Sequence, residues 1–256
     1  MGKSLNIPKG EREGFKTPYK INCKKMLIIC DLQIPFHDKK AVELALTYDE
    51  SFDTLLIDGD LMDLYSLSRF QDKRPDMAFV RDEIEITKEF LEQLRKYFPD
   101  KRIIYKFGNH DDRLRKWIND KAPVLFNVES IQLEEQLNLH ELKIEKVEPD
   151  QKIQAGKLFI IHGHEYKGGG QVNLSRNMML KTFDNTLFGH FHKPDYAFKK
   201  KIGNNVIGSW SVGCLCGLTP KWLPNNEWLW GFAIVEFDNG SFSVNNKTIS
   251  TDYHIY

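Results

Sequence analysis

Five short apolar runs in this 256-residue chain lead directly into side chains able to bind a metal ion or move a proton. Residues 26–30 lead into Asp31-Leu32-Gln33, and residues 54–57 into Asp58-Gly59-Asp60-Leu61-Met62-Asp63. Residues 103–107 precede Gly108-Asn109-His110-Asp111, residues 158–161 precede His162-Gly163-His164, and residues 186–188 precede Gly189-His190-Phe191-His192. Mixed carboxylate, carboxamide and imidazole donors suit divalent cations of borderline softness, and imidazole also suits general acid–base work. Taken alone, an Asp-Gly pair is ordinarily a turn, and one histidine beside an apolar run is ordinarily a satisfied core residue. Here five of the eight histidines fall in these loops, so five separate structural reasons would have to coincide.

The elements around these loops read as α/β: short β-rich runs alternate with longer amphipathic segments. In open α/β sheets ligands bind beyond the carboxyl ends of the strands, so five strand ends can meet at one place. Glycines beside the polar residues let the backbone turn sharply there. Helical periodicity covers residues 39–48 and 82–97, the latter with Ile84, Ile86, Phe90, Leu91 and Leu94 at three- to four-residue spacing. Residues 112–118 and 172–182 read as shorter helices. Residues 206–212, 231–237 and 241–248 alternate like antiparallel strands, with Asp238-Asn239-Gly240 as a hairpin turn. Residues 119–157 carry the weakest pattern and read as a helical insertion beside the site.

Composition sets further bounds. Hydrophobic residues make up 41% and charged residues 28%, which excludes wholesale disorder and fibrous repeats. The length supports one large core or two small ones. The apolar runs fall far short of the span of about 20 residues that crosses a bilayer, so no membrane association is expected. Residues 1–20 contain no apolar stretch of the kind a secretory leader uses, and Asn6 breaks the acylation pattern that Met1-Gly2 would begin. Four cysteines do not make a disulfide scaffold, and Cys214-x-Cys216 lacks the two-residue spacer of a zinc knuckle. Reduced thiols and a cytoplasmic location are therefore expected. Net charge is zero, but residues 1–25 carry +5 and the remainder −5. An acidic body is not built as a general phosphate-backbone binder. Residues 1–23 are read as a basic, flexible arm, with contact to nucleic acid or a partner as the alternative, and residues 24–256 as a single domain.

In that order, the motifs Asp31-x-Gln33, Gly59-Asp60-x-x-Asp63, Gly108-Asn109-His110-Asp111, His162-Gly163-His164 and Gly189-His190-x-His192 resemble the calcineurin-like metallophosphoesterase superfamily. The overall look is similar to compact phage and prokaryotic members without a cap domain. The segment Gly208-Ser209-Trp210-Ser211-Val212-Gly213 stands where that family closes its second sheet. The resemblance implies a four-layer αββα sandwich of two mixed sheets flanked by helices, with a dinuclear metal site at the strand ends. It implies a first metal held by Asp31, Gln33, Asp60 and His192, and a second held by Asp60, Asn109, His162 and His190, with Asp60 bridging. Two divalent ions are implied, Mn²⁺ foremost, with Fe²⁺, Ni²⁺ or Zn²⁺ also suited to the donors. His162 is preferred to His164 as ligand because it directly ends its strand, leaving His164 for substrate phosphate. Gln33 departs from the family, which has histidine there, and a neutral amide oxygen is the weaker donor. His37 is expected to line the pocket.

The same resemblance implies hydrolysis of a phosphoric ester by a metal-bridging hydroxide in line with the leaving oxygen, with His110 as the acid. Asp63 and Asp111 would each orient a histidine, or else cap the following helix. Arg113 and Lys116, one turn apart, would face an anionic substrate or form a solvated, ion-paired face. Gly168-Gly169-Gly170 offers backbone N–H groups to phosphate. Trp222, Trp228 and Trp230 read as core packing, with base stacking as the alternative. The expected substrate is a phosphorylated small molecule or nucleotide. A DNA or RNA nuclease is the alternative, and a non-catalytic scaffold domain stands behind both.

Overall fold

Side chains along a strand alternate between its faces, and the strand Lys25–Ile29 (β2) divides its buried residues in that way. Leu27 and Ile29 join a cluster containing helical residues such as Val42 and Leu91, while Met26 and Ile28 join a cluster of strand residues such as Leu158 and Leu187. A strand apolar on both faces must lie in a covered layer. The computed structural model describes residues 17–69, 79–167 and 172–256. Its elements begin with β1 (Tyr19–Ile21), β2, α1 (Lys39–Thr47), β3 (Thr54–Asp58), α2 (Val80–Tyr97), β4 (Arg102–Lys106) and α3 (Arg113–Lys121). They continue with α4 (Leu133–Gln136), β5 (Ile144–Val147), β6 (Ile153–Ala155), β7 (Leu158–Ile161), α5 (Leu174–Thr182) and β8 (Thr186–Phe188). The last are β9 (Asp195–Lys200), β10 (Val206–Ser211), β11 (Trp230–Asp238) and β12 (Ser241–Ile249).

One sheet has the order β12-β11-β2-β3-β4-β5 and the other β1-β6-β7-β8-β10-β9, six strands each. In the first, β2 to β5 run parallel and β11 and β12 are antiparallel. In the second, β7, β8 and β10 are parallel, β6 opposes β7, β9 opposes β10, and β1 runs parallel to β6. Both sheets are mixed, as expected. Met26, Ile28, Leu56, Ile104, Ile160 and Leu187 fill the space between them. Helices α1 and α2 cover the outer face of the first sheet, and Leu174 and Met178 of α5 cover Ile161 and Phe188 of the second. The result is the expected α/β arrangement of two sheets with helices outside.

Local chemistry explains the helices. Asp38 caps α1, its carboxylate accepting from Ala41 N at 2.9 Å. Helix α2 carries Asp82 and Glu83 in its first turn and Arg95 and Lys96 in its last, each sign matching the helix dipole. Its Glu83 is buried and accepts the Leu64 N–H at 2.5 Å, which ties the loop after β3 to the helix.

Two sequence expectations are corrected. The arm does not extend to residue 23, because Tyr19–Ile21 is an edge strand paired in parallel with β6. Ile21 is buried, and the Tyr19 hydroxyl donates to Glu145, which also receives the Arg102 guanidinium. Three residues inside a basic stretch are too few to display alternation. Residues 1–16 of the expected arm lie outside the described residues. Residues 119–157 are helical only in their first half, with the end of α3, two single turns of 3-10 helix and α4; the second half supplies β5 and β6, one to each sheet. These strands of four and three residues are broken up by Glu145, Lys146 and Gln154, which leaves no apolar run to read. Among the described residues no helix is long and apolar enough to cross a membrane.

Because Ile21 anchors β1 in the inter-sheet core, Ile21→Ala is expected to lower the unfolding free energy by about 2–4 kcal/mol. Chemical denaturation checks this, and an unchanged midpoint would show β1 to be a detachable arm.

Candidate metal centre

Strands β2, β3 and β4 lie side by side and parallel, so the loops carrying Asp31, Asp60 and Asn109 leave the same edge of the first sheet. Parallel β7 and β8 do the same for His162 and His190 in the second. The loops interlock: Asp31 N donates to Gly59 O at 3.0 Å and Gln33 N to Asp60 O at 3.0 Å. Asp31, Gln33, Asp60, His190 and His192 all have positive φ, between 49° and 69°. Such left-handed backbone costs of order 1–3 kcal/mol at each non-glycine residue and gathers at functional sites. Close approach explains two glycines. A Cβ on Gly108 would stand 2.2 Å from Asp60 Oδ1, and one on Gly59 would stand 2.4 Å from His162 Nδ1.

Asp60 occupies the centre. Its Oδ2 lies 3.2 Å from His162 Nε2 and 3.8 Å from His110 Nε2, while its Oδ1 accepts the His110 N–H at 2.8 Å. Donor atoms of Asp60, His162 and His190 all lie within 4.8 Å of one another. The Asp58 carbonyl, 2.7 Å from His162 Nδ1, fixes that ring with Nε2 facing the carboxylates. On the other side, Asp31 Oδ2 accepts the His190 N–H at 2.8 Å, and its Oδ1 lies 3.2 Å from His192 Nε2 and 3.9 Å from His162 Nε2. Gln33 Nε2 stands 3.2 Å from the same His192 nitrogen. Six of the seven expected ligands are thereby linked by direct contacts. Asn109, the seventh, follows Gly108 in the loop that crosses Asp60, and its Oδ1 is buried without a hydrogen-bond partner.

The electrostatics follow from burial among opposite charges. Burial pushes the Asp60 carboxyl upward, but His110, His162 and His190 outweigh it and hold it well below the usual carboxylate range. Asp31 is lowered in the same way by His192 and His162. Burial alone would lower His192, yet Asp31 and the Cys214 sulfur raise it to about 10. Asp60 and Asp31 likewise raise His162 well above its ordinary value. His190 and His164 are lowered to about 4, chiefly by burial.

The residues fit a pair of divalent cations. His162 Nε2 and Asn109 Oδ1 are buried with no hydrogen-bond partner, and His162 Nε2 faces both carboxylates. Oxygen and imidazole donors together suit divalent cations of borderline softness.

The other predicted residues divide. Asp63 Oδ1 lies 3.3 Å from His110 Nδ1, beside the imidazole that one of its two expected roles would have it orient. Asp111 neither orients a histidine nor caps α3. It accepts from Gly108 N at 2.7 Å, Asp60 N at 2.8 Å, Met62 N at 3.1 Å and Tyr105 OH at 2.6 Å, which fastens the β3 and β4 loops together. Arg113 turns inward, with Nη2 2.9 Å from His110 Nε2 and Nη1 donating to Asp63 O at 2.5 Å. Lys116 does not share that position, because Asp112 holds it at 2.9 Å on the exposed side of α3. His164 reaches the site, its ring 5.4 Å from His162 and 6.3 Å from His190. His37 does not line it. Its ring faces a groove of about 780 Å³ between α1 and α2, together with Val42, Leu46 and Phe90. Trp230 is core as expected, but Trp228 packs its ring 4.1 Å from His192, and the half-exposed Trp222 packs on Trp228. Gly168-Gly169-Gly170 lies outside the described residues.

Sequence reasoning missed two supports. Glu165 accepts the His162 and Gly163 N–H groups at 3.1 and 2.6 Å, and is paired at 3.0 Å with fully buried Lys106. The available signal was a lysine ending a buried strand, which demands a partner. The second is the thiol pair Cys214 and Cys216 behind His192, whose alternate spacing places both on one face of an extended segment.

A calcineurin-like phosphoesterase family model matches residues 24–231, and the chain belongs to that family of metal-dependent phosphoesterases. Two phage proteins are similar in sequence. The Gene 54 protein of Mycobacterium phage L5 is 28% identical over 232 residues, covering 84% of this chain and 89% of the relative. That of Mycobacterium phage D29 is 26% identical over 181 residues, covering 66% and 69%. Among solved structures, Vps29 of Chaetomium thermophilum aligns with a TM-score of 0.48 at 12% identity, covering 91% of this chain and 95% of that one. A Streptococcus pneumoniae protein described as a predicted phosphoesterase aligns with a TM-score of 0.38 at 15% identity, covering 91% and 92%.

Ligation needs the lone pairs that protons hold on His192 and His162 in the metal-free protein, so cation binding must expel protons. With His192 raised to about 10, Mn²⁺ affinity is expected to climb with pH throughout the range below that value. The slope should be about tenfold per pH unit for each proton released. Calorimetry in buffers of different ionisation enthalpy measures the release, and none at pH 7 would exclude these imidazoles as ligands.

Proposed function

We propose that this chain is a metal-dependent phosphoric ester hydrolase acting on a phosphorylated small molecule or nucleotide. The observation that carries the reading is the gathering of Asp31, Asp60, His162, His190 and His192 from both sheets, with unpartnered His162 Nε2 and Asn109 Oδ1 among them. Asp31, Gln33, Asp60 and His192 would hold the first cation, and Asp60, Asn109, His162 and His190 the second, Mn²⁺ foremost. When bound, such a pair polarises phosphoryl oxygens and supplies hydroxide at neutral pH.

The chain's own residues then position and protonate. His110 presents Nε2 beside Asp60 and is the acid for the departing oxygen, with Asp63 facing its Nδ1. In the substrate-free geometry Arg113 donates to His110 Nε2. An arriving phosphate is the stronger acceptor for that guanidinium, so Arg113 swings to the anion and frees the imidazole. His164, held neutral by burial, donates one hydrogen bond to the same phosphate. Four free cysteines accord with a reducing, cytoplasmic setting. Exposed Trp222 beside Trp228 and His192 favours one second reading, a nuclease whose base stacks on the indole.

A panel with added Mn²⁺ separates these readings: a chromogenic monoester, a chromogenic diester, nucleoside monophosphates, cyclic nucleotides and DNA. Small esters should turn over, and His110→Ala should lower kcat by roughly 10²–10⁴-fold with two Mn²⁺ still bound. Cleavage of DNA alone, falling steeply with salt, would replace the reading with the nuclease, and silence on every ester would replace it with a binding domain.

Gln33 is expected to weaken the first cation site. Restoring an imidazole with Gln33→His should tighten one of the two Mn²⁺ by about ten- to a hundredfold. If Gln33→Ala leaves Mn²⁺ stoichiometry and turnover as they were, Gln33 is not a ligand.

A further inference from the structure

We propose that the thiols of Cys214 and Cys216 and Nδ1 of His192 form a separate site for a thiophilic divalent cation, exclusive with the first site of the hydrolase centre. Cys214 and Cys216 lie on an extended segment held by single bridges to Trp230 and His37, so both side chains project to one face. Both are buried, and their sulfur atoms and a His192 ring nitrogen all lie within 4.8 Å of one another. Cys216 Sγ is 3.7 Å from Nδ1. Around a tetrahedral cation with bonds of about 2.3 Å to sulfur and 2.0 Å to nitrogen, neighbouring donors stand about 3.5–3.8 Å apart. The site therefore needs only a contraction of about an ångström, within the range of side-chain rotation.

Buried cysteines are commonly inert small hydrophobes. Cys30 is such a case, its thiol donating to Gly213 O at 3.1 Å. The other two converge on an imidazole nitrogen, Cys214 Sγ also lying 3.7 Å from Leu229 O. The groups on the two sides of that ring differ in kind: an Asp31 carboxylate oxygen and the Gln33 carboxamide nitrogen each stand 3.2 Å from Nε2, and sulfur stands on the Nδ1 side. Oxygen donors favour Mn²⁺-type ions, whereas thiolates select Zn²⁺-like ions.

A neutral imidazole has one lone-pair nitrogen and one N–H. With Nε2 ligating, Nδ1–H points at sulfur; with Nδ1 ligating, Nε2–H points at Asp31. One ring cannot serve both cations, so a thiophilic ion entering behind His192 withdraws a ligand from the first site. This exclusivity rests on the reading of His192 as a ligand of the hydrolase centre, while the thiol site does not.

Cadmium is the probe. Titrating Cd²⁺ into the metal-free full chain should produce a thiolate-to-metal charge-transfer band that saturates at one equivalent and disappears in both Cys214→Ser and Cys216→Ser. Adding Cd²⁺ to the Mn²⁺-loaded protein should lower bound Mn²⁺ from two to one. Cadmium binding without the band, or a band that survives both substitutions, overturns the site. Should either variant fail to fold, a Cys23→Ser, Cys30→Ser protein decides, since only Cys214 and Cys216 can then give the band, and its absence there overturns the site. A full band with two Mn²⁺ retained overturns the exclusivity. Failure to bind Mn²⁺ at all would sink the hydrolase reading and leave the cadmium result standing.

Discussion

Two carboxylates removed from solvent, Asp31 and Asp60, set the terms for everything around them. An uncompensated buried charge costs about several kcal/mol, so each must be met by donors and cations on every open side. Asp31 takes the His190 N–H and faces His192; Asp60 takes the His110 N–H and faces His162. Those partners come from both sheets. The sandwich is therefore joined at its edge by the same charges that make the edge a cation site.

Holding these groups together bends the backbone out of its ordinary regions. The donor residues with positive φ lie within four residues of the ends of strands whose apolar residues are almost wholly buried. A rigid strand ends, a sharp turn follows, and the side chain is driven sideways toward its neighbour's loop. Asp111 stabilises this arrangement by taking three backbone N–H groups and the Tyr105 hydroxyl, which removes the unpaired donors that two such turns would leave. Burial and the Asp60 charge raise Asp111 to about 6, a further sign of how densely negative the region is without cations.

His192 marks the boundary between two chemical environments. Toward the strand ends it meets carboxylate and amide; behind it lie sulfur and the Trp228 ring. In the proposed ligand set, a neutral amide at Gln33 in place of an imidazole would leave more of the first site's donor strength on this one ring. Its setting thus bears more weight here than where two imidazoles share the cation.

Each ligand motif could be read from the sequence because it is local. An apolar run and a polar donor are contiguous in all five, with a glycine beside the donor in four, and that recurrence leaves little room for coincidence. The long helices and the final hairpin were legible for the same reason, since their periodicity spans enough residues to show. Strands β1, β5 and β6 were not, because Lys20, Glu145, Lys146 and Gln154 break them up, leaving neither a period nor the unbroken apolar run that marks the equally short β7 and β8. The partners of Asp111, the inward turn of Arg113, the Lys106–Glu165 pair and the thiols behind His192 were beyond reach for another reason. Each joins residues whose separation depends on how two sheets stack, and a linear pattern holds no information about which face of one strand meets which loop of another. The types of donor were thus determined by the chain itself, while their mutual orientation, and with it which side of each imidazole faces a cation, was decided only by tertiary packing.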